Sequence, residues 1–267
     1  MRLGVMNRQT EAMPLLGESE ARPYHVHAAV TDSPFVMISD HAGRAVPERL
    51  GDLGLPVDEW DRHIAYDIGI REVGRHLQQA LGCLLVEQVY SRLVIDCNRA
   101  AGHPTSIPPV SDGAPVPGNQ GLSAVERRQR EEAILHAYHD EIERHLSRRK
   151  PETTLFVSLH SFTPAMQDGR RRPWDIGLLH DHDPHSARLM RTLLEEEGGL
   201  HVGDNQPYVL NSQNEYSVPY HAGRRNLPAL EIEIRQDLIS DEVGQKLWAE
   251  RLARLLPRFW ERRKEMA

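Results

Sequence analysis

Residues 35–39, Phe-Val-Met-Ile-Ser, form a short apolar run that stops at Asp40-His41-Ala42-Gly43. That is the pattern of a buried strand opening into a loop, and it puts His41 at the strand's C-terminal end. From Asp58 onward Trp60, Ile64 and Ile68 recur at helical spacing, and Val73, Leu77 and Leu81 prolong the face until Gly82 closes it. The pattern predicts one helix, broken near Asp67-Ile68-Gly69. Residues 83–89 and 93–96 read as two further strands. Between 100 and 121 five prolines and four glycines leave no period at all, a length of loop that is usually functional.

Ser123-x-x-Glu126 has the capping-box spacing, and Ile134, Leu135, Tyr138, Ile142 and Leu146 give the helix behind it one apolar stripe to about residue 149. The next strand, 154–159, ends in His160-Ser161-Phe162 and repeats the arrangement at His41. A strand is expected at 176–179, then a helix at 185–197 stopped by Gly198-Gly199. Residues 201–222 are irregular and polar. Along the strand expected at 229–234, Glu231 and Glu233 share one face while Leu230, Ile232 and Ile234 take the other. A last amphipathic helix runs from about Asp241 past Phe259. Strands alternating with helices predict an α/β sandwich around a mixed, largely parallel sheet. With no internal repeat or linker, residues 23–267 read as a single domain behind a flexible segment, 1–22.

Composition narrows the function. Lys plus Arg is 32 against 39 Asp plus Glu over 267 residues, a formal charge of −7, which argues against a nucleic-acid partner. No apolar run approaches the roughly 20 residues that cross a bilayer, and residues 1–22 lack a secretory apolar core, so no membrane partner and a cytoplasmic location are expected. Cys83 and Cys97 are the only cysteines. A disulfide framework and a thiolate zinc knuckle are thereby excluded, and His, Asp and Glu remain as metal ligands.

Ligands of α/β sheets bind beyond the C-terminal ends of strands, which singles out Asp40-His41, Arg92 with Asp96 to Arg99, His160-Ser161 and the Glu231/Glu233 strand. Each has an ordinary reading. One histidine at a strand end is more often a loop residue than a ligand, although two with the same placement shift the balance. Arg92 and Arg99 could simply pair with Asp96 and other acids. The two glutamates could lie on an exposed edge, but in an internal strand an ionised carboxylate needs a cation or metal nearby.

The segments Ile38-Ser-Asp-His-Ala-Gly43, Tyr90-Ser-Arg-Leu-Val-Ile-Asp-Cys-Asn-Arg99, Ser158-Leu-His-Ser161 and Leu230-Glu-Ile-Glu-Ile-Arg235 resemble the N-formylglutamate amidohydrolase family over about residues 34–242. More distantly, their order is similar to that of zinc carboxypeptidases and aspartoacylase, which implies a three-layer αβα sandwich. The resemblance implies zinc held by His41 and His160. Asp67 is the favoured third ligand and Glu48 the fallback, since the carboxypeptidases place a glutamate where this chain has Arg44. It further implies Glu233 as general acid and base, Arg92 as oxyanion stabiliser, and Asn98 with Arg99 as the grip on a substrate carboxylate. Glu231 is expected to pair with a neighbouring arginine or to orient a loop. Two departures stand out: Ser158 occupies a position where the family carries Asp, and Val209-Leu210 follow Asn205-Gln-Pro-Tyr208 where the family has Gly-Gly.

The expected activity is zinc-dependent cleavage of a small carboxylate-bearing N-acyl amino acid. N-formyl-L-glutamate, giving L-glutamate and formate, leads, with a place in histidine catabolism. A carboxypeptidase-like peptide or cell-wall amidase is the alternative enzyme. A non-catalytic zinc-dependent carboxylate-binding protein is the alternative of another class, against which Glu233 speaks.

Overall fold

The computed structural model describes residues 14–266. Its strands are β1 (Tyr24–His27), β2 (Phe35–Ser39), β3 (Leu84–Gln88), β4 (Val110–Ser111), β5 (Ala114–Pro115), β6 (Leu155–Phe162), β7 (Ile176–Leu179), β8 (Val202–Asp204) and β9 (Ala229–Arg235). Seven of them form one mixed sheet in the order β1-β3-β2-β6-β9-β7-β8, and β4 and β5 make a separate hairpin. The four central strands, β3, β2, β6 and β9, are mutually parallel, so their C-terminal ends meet on one edge. β1 and β7 run against their inner neighbours.

Helices α1 (Ile70–Leu81), α2 (Ala124–Arg130), α3 (Ala137–Leu146), α4 (Pro184–Glu196) and α5 (Glu242–Met266) cover both faces. Alternation along the strands decides which side chain meets which layer. Met37, Val157, Leu159, Ile232 and Ile234 pack with Val73 and Leu77 of α1, Met190 and Leu193 of α4, and Leu252, Leu255 and Phe259 of α5. On the other side Val36, Ile38, Val86 and Phe156 meet Ile134, Leu135, Tyr138, Ile142 and Leu146, which line the rod made by α2, a π-helical turn (Glu131–His136) and α3. The Ser123 capping box opens that rod as expected, and α3 stops at Leu146, short of 149. No helix among the described residues is long and apolar enough to cross a membrane.

Several expectations change. The helix expected from Asp58 begins only at Ile70, and residues Val57–Asp61 are a single 3-10 turn. Gly69 breaks it: its φ of 79° suits glycine, and a Cβ there would lie 1.9 Å from the Ile239 carbonyl oxygen. Residues 93–96 are a buried turn, not a strand. Leu93 N and Val94 N bond to Ser91, and Asp96 N donates to the Ser106 carbonyl at 2.7 Å, so the backbone is satisfied locally despite an apolar sequence.

Strand β6 continues through Phe162, which places His160 and Ser161 inside the sheet. The proline-rich stretch carries β4, β5 and a 3-10 turn (Pro117–Asn119). It is pinned by the buried Arg130, whose guanidinium donates to Val94 O, Asn119 Oδ1 and Gly118 O at 2.6–3.0 Å. β8 and a π-helical turn (Val218–Ala222) lie within the stretch read as irregular. The flexible segment expected at 1–22 lies outside the described residues up to residue 13. Residues 14–22 are tied down: Leu15 is buried, Arg49 donates to Pro14 O, Tyr90 donates to Ala21 O, and the Glu20 carboxylate accepts from Gly17 N and Glu48 N.

Candidate active site

Chain topology gathers the polar residues of the apolar strands at one place. In the β6–β9 register Ser158 faces Glu231 and His160 faces Glu233. β2 delivers Asp40 and His41 beside them. Asp67, in the turn that Gly69 terminates, donates its N–H to the His41 carbonyl at 3.0 Å. Ser161 N in turn donates to Asp67 Oδ2 at 3.0 Å, which locks the carboxylate to the edge of β6.

His41, Asp67 and His160 converge. His160 Nδ1 lies 3.0 Å from Asp67 Oδ2 and His41 Nδ1 3.5 Å from Asp67 Oδ1, all three side chains buried. One ligand atom from each falls within 4.8 Å of the others. The opposite ring nitrogens are held from behind. His41 Nε2 donates to Asp96 Oδ1 at 2.7 Å, and His160 Nε2 has Ser158 Oγ at 3.1 Å and Asp40 Oδ2 at 3.4 Å. With Nε2 engaged from behind, each ring turns Nδ1 toward Asp67, where it carries a proton or, in its place, could hold a cation. His41 Nδ1 is buried without a hydrogen-bond partner.

Two imidazole nitrogens and a carboxylate with no thiolate fit a divalent cation such as zinc, with one position left over. Glu48, the fallback ligand, does not belong to this group: it is exposed on a 3-10 turn, with its backbone N–H bound to Glu20.

Electrostatics agree with that use. Burial alone opposes charge on the imidazoles and carboxylates alike, yet here the neighbours win. Asp40 and Asp67 raise His160 well above its ordinary value. For His41, Asp96 and Asp67 outweigh both burial and Arg92. Asp67 is held far below the usual carboxylate range by the two histidines, against its own burial. A cation and protons therefore compete for the same Nδ1 atoms.

The cavity beside this group is lined also by Arg92, Asn98, Arg99, Ser161, Tyr208, Glu215 and Glu233. All the residues read as site candidates except Glu48 thus come together. Glu233 is 5% exposed, its Oε2 has no hydrogen-bond partner, and burial, with Asp67 and Glu215, pushes its carboxyl up to about 8 against the pull of His160 and His41. Glu231 departs from expectation. It pairs with no arginine among the described residues. It is buried below the cavity, where burial and the nearby Glu215 raise its carboxyl well above the ordinary value.

Arg92 donates to Asp96 Oδ2 at 2.8 Å and to Asp67 Oδ1 at 3.4 Å, so it is both an ion-pair partner and a wall of the cavity. Arg99 Nη1 donates to the Asn98 carbonyl at 2.7 Å and lies 3.5 Å from Glu215 Oε2. Sequence reasoning missed Glu215 and Tyr208, which sit in a stretch without periodicity. Asp40 and Asp96 lie in the strand-end segments that the sequence singled out, but neither was given the role of holding a histidine ring from behind.

Fold and site together define the class: an α/β protein, helices on both faces of a mixed sheet, with its polar site built at the C-terminal ends of parallel strands. Residues 33–240 match the N-formylglutamate amidohydrolase family, and the chain belongs to that family; it is an amidohydrolase. Among solved structures, the gene product Atu2144 from Agrobacterium tumefaciens is 34% identical, with a TM-score of 0.85 over 92% of this chain and 98% of that one. The N-formylglutamate amidohydrolase from Ralstonia eutropha JMP134 shares the fold at 20% identity and a TM-score of 0.67, over 92% of this chain and 100% of that one. No curated protein sequence matches the chain.

Proposed function

We propose that this protein is a zinc-dependent amidohydrolase that removes the acyl group from a small N-acyl amino acid, with N-formyl-L-glutamate as the first substrate to test. The observation that carries this reading is the convergence of His41 Nδ1, His160 Nδ1 and the Asp67 carboxylate beside the unpartnered Glu233 oxygen. Family membership supports the reaction type. Zinc held by those three residues would lower the pKa of water to about 7 and polarise an amide carbonyl.

The remaining tasks fall to the chain's own groups. Glu233 opens on the same cavity with its Oε2 unbonded, so it is the group to take a proton from water and return it to the leaving nitrogen. Arg92, held by Asp96 and Asp67, presents a fixed positive charge to the oxygen that becomes negative as the amide is attacked. Asn98, Arg99 and Tyr208 also line the cavity and can orient the amino-acid half of the substrate.

The test combines metal analysis with formate release from a panel of N-formyl, N-acetyl and peptidyl amino acids. About one zinc per chain and formate as the released acid are expected. His41→Ala and His160→Ala should lose zinc and activity together. Release of an amino acid from peptides without formate would instead favour a peptidase, and full zinc in either variant would remove that residue from the ligand set.

A further inference from the structure

The end of the cavity that should receive a substrate carboxylate already holds one. Arg99 is fixed at the wall by its own segment, with Nη1 on the Asn98 carbonyl at 2.7 Å and Nε on Thr105 Oγ1 at 3.3 Å. Into this place the chain inserts Glu215, only 10% exposed, whose Oε2 accepts from the Asn98 side-chain amide and lies 3.5 Å from Arg99 Nη1. Asn98 is thereby largely engaged, since one of its two amide N–H groups is given to Glu215 and its Oδ1 accepts the backbone N–H groups of Tyr216 and Ser217, each at 3.0 Å.

Those two bonds also anchor Glu215 where it is. Immediately before it, Asn211 Oδ1 closes a turn by accepting from Gln213 N and Asn214 N. Immediately after it, the Tyr216 ring stacks on Tyr220 at 4.6 Å. The second arginine of the cavity is no freer, being paired with Asp96 and Asp67. A free carboxylate arriving at Arg99 must share one guanidinium with a resident carboxylate held on the neighbouring amide, and two like charges in one buried place disfavour each other. Burial already holds the Glu215 carboxyl above its ordinary value although Arg99 pulls it down, as expected of an acid with only partial compensation.

We infer that Glu215 is a specificity-determining residue, an internal competitor for Arg99 and Asn98 that penalises a free carboxylate at this end of the cavity and favours N-acyl substrates presenting a neutral donor there, such as a carboxamide. This rests on the amidohydrolase reading above and narrows its substrate class.

The test uses the zinc-loaded full chain and Glu215→Gln, which keeps the shape and removes the charge. Glutarate, a dicarboxylate that cannot be hydrolysed, serves as the binding probe. Its dissociation constant, measured by calorimetry, should fall about tenfold in the variant, the scale of one charge-assisted hydrogen bond regained. In turnover, KM for N-formyl-L-glutamate should fall by a similar factor, while KM for one of its two monoamides stays unchanged. Glu215→Ala should also tighten glutarate, which separates charge from packing.

Equal or weaker glutarate binding in both variants overturns the inference, as does an equal change in KM for the diacid and both monoamides. Failure of the wild type to hydrolyse any of the three would count against the proposed activity. The glutarate comparison reads the subsite independently of turnover.

Discussion

Asp40 is where the aim of the second histidine can be tested. Its side chain is buried, 1% exposed, neither oxygen has a hydrogen-bond partner, and the cationic group it faces is His160, with Nε2 at 3.4 Å. Burial pushes its carboxyl up, but His160, His41 and His139 outweigh that and hold it below the ordinary value, so it stays ionised. Asp40→Asn keeps the volume and removes the charge, leaving Ser158 Oγ at 3.1 Å as the neighbour of Nε2. Removing a partner that orients a metal-ligating histidine typically costs about 10–100-fold in metal affinity. With the ion pair at 3.4 Å and Ser158 still in place, the lower end is expected, about tenfold or 1.4 kcal/mol.

Competition with a chromophoric chelator at fixed pH measures that affinity, and the melting temperature of the metal-free protein, followed in parallel, separates it from a loss of fold. Adding Ser158→Asp to the Asp40→Asn chain returns a carboxylate to the same nitrogen from two residues away on β6. Most of the lost affinity should come back. Unchanged zinc affinity in the single variant, or no recovery in the double one, would refute the reasoning.

Glu233→Gln should lower kcat by about 10²–10⁴ with zinc retained, whereas Glu231→Gln, at a buried carboxyl that does not line the cavity, should leave kcat nearly unchanged; stopped turnover in the second variant alone would reverse the assignment. Gly69→Ala meets both a φ of 79° and the Ile239 carbonyl oxygen 1.9 Å from the new Cβ, so melting should show a loss above about 1 kcal/mol, accompanied by weaker zinc binding through Asp67. Burial and His221 push His139 down to about 3, from an ordinary value of 6.5. The unfolded chain therefore binds more protons between pH 6.5 and 3, and stability falls as pH drops through that window, by at most about 1.4 kcal/mol per unit from this residue. His139→Gln should flatten the pH dependence of melting there, and an unaltered slope would count against a neutral His139.

Long apolar runs bounded by turn residues were legible in the sequence. Strands β2 and β7 fall where the pattern put them, because a strand buried on both faces is apolar throughout. β1, with the sequence Tyr-His-Val-His, is a short edge strand that carries no such signal. Residues 93–96 misled for the opposite reason: they are as apolar as a strand, but their hydrogen bonds close a turn. The site was readable where a polar residue interrupts or ends an apolar strand, as at His41, His160 and Glu233. Glu215 was not, because its position follows from the Asn98 side chain gripping the backbone of residues 216 and 217, a contact between segments more than a hundred residues apart.

The three candidate ligand atoms come from far apart along the chain, since the contact between Asp67 and His160 closes a loop of 93 positions. During synthesis, therefore, the three cannot meet until β6 has left the ribosome and docked beside β2, and a metal held by them would be captured after folding instead of seeding it. A cation that binds only the finished sheet stabilises it by mass action, about 4 kcal/mol when present at a thousand times its dissociation constant. Scarce metal would thus shorten the lifetime of the protein before it limited the chemistry, and chelation should expose the chain to proteases.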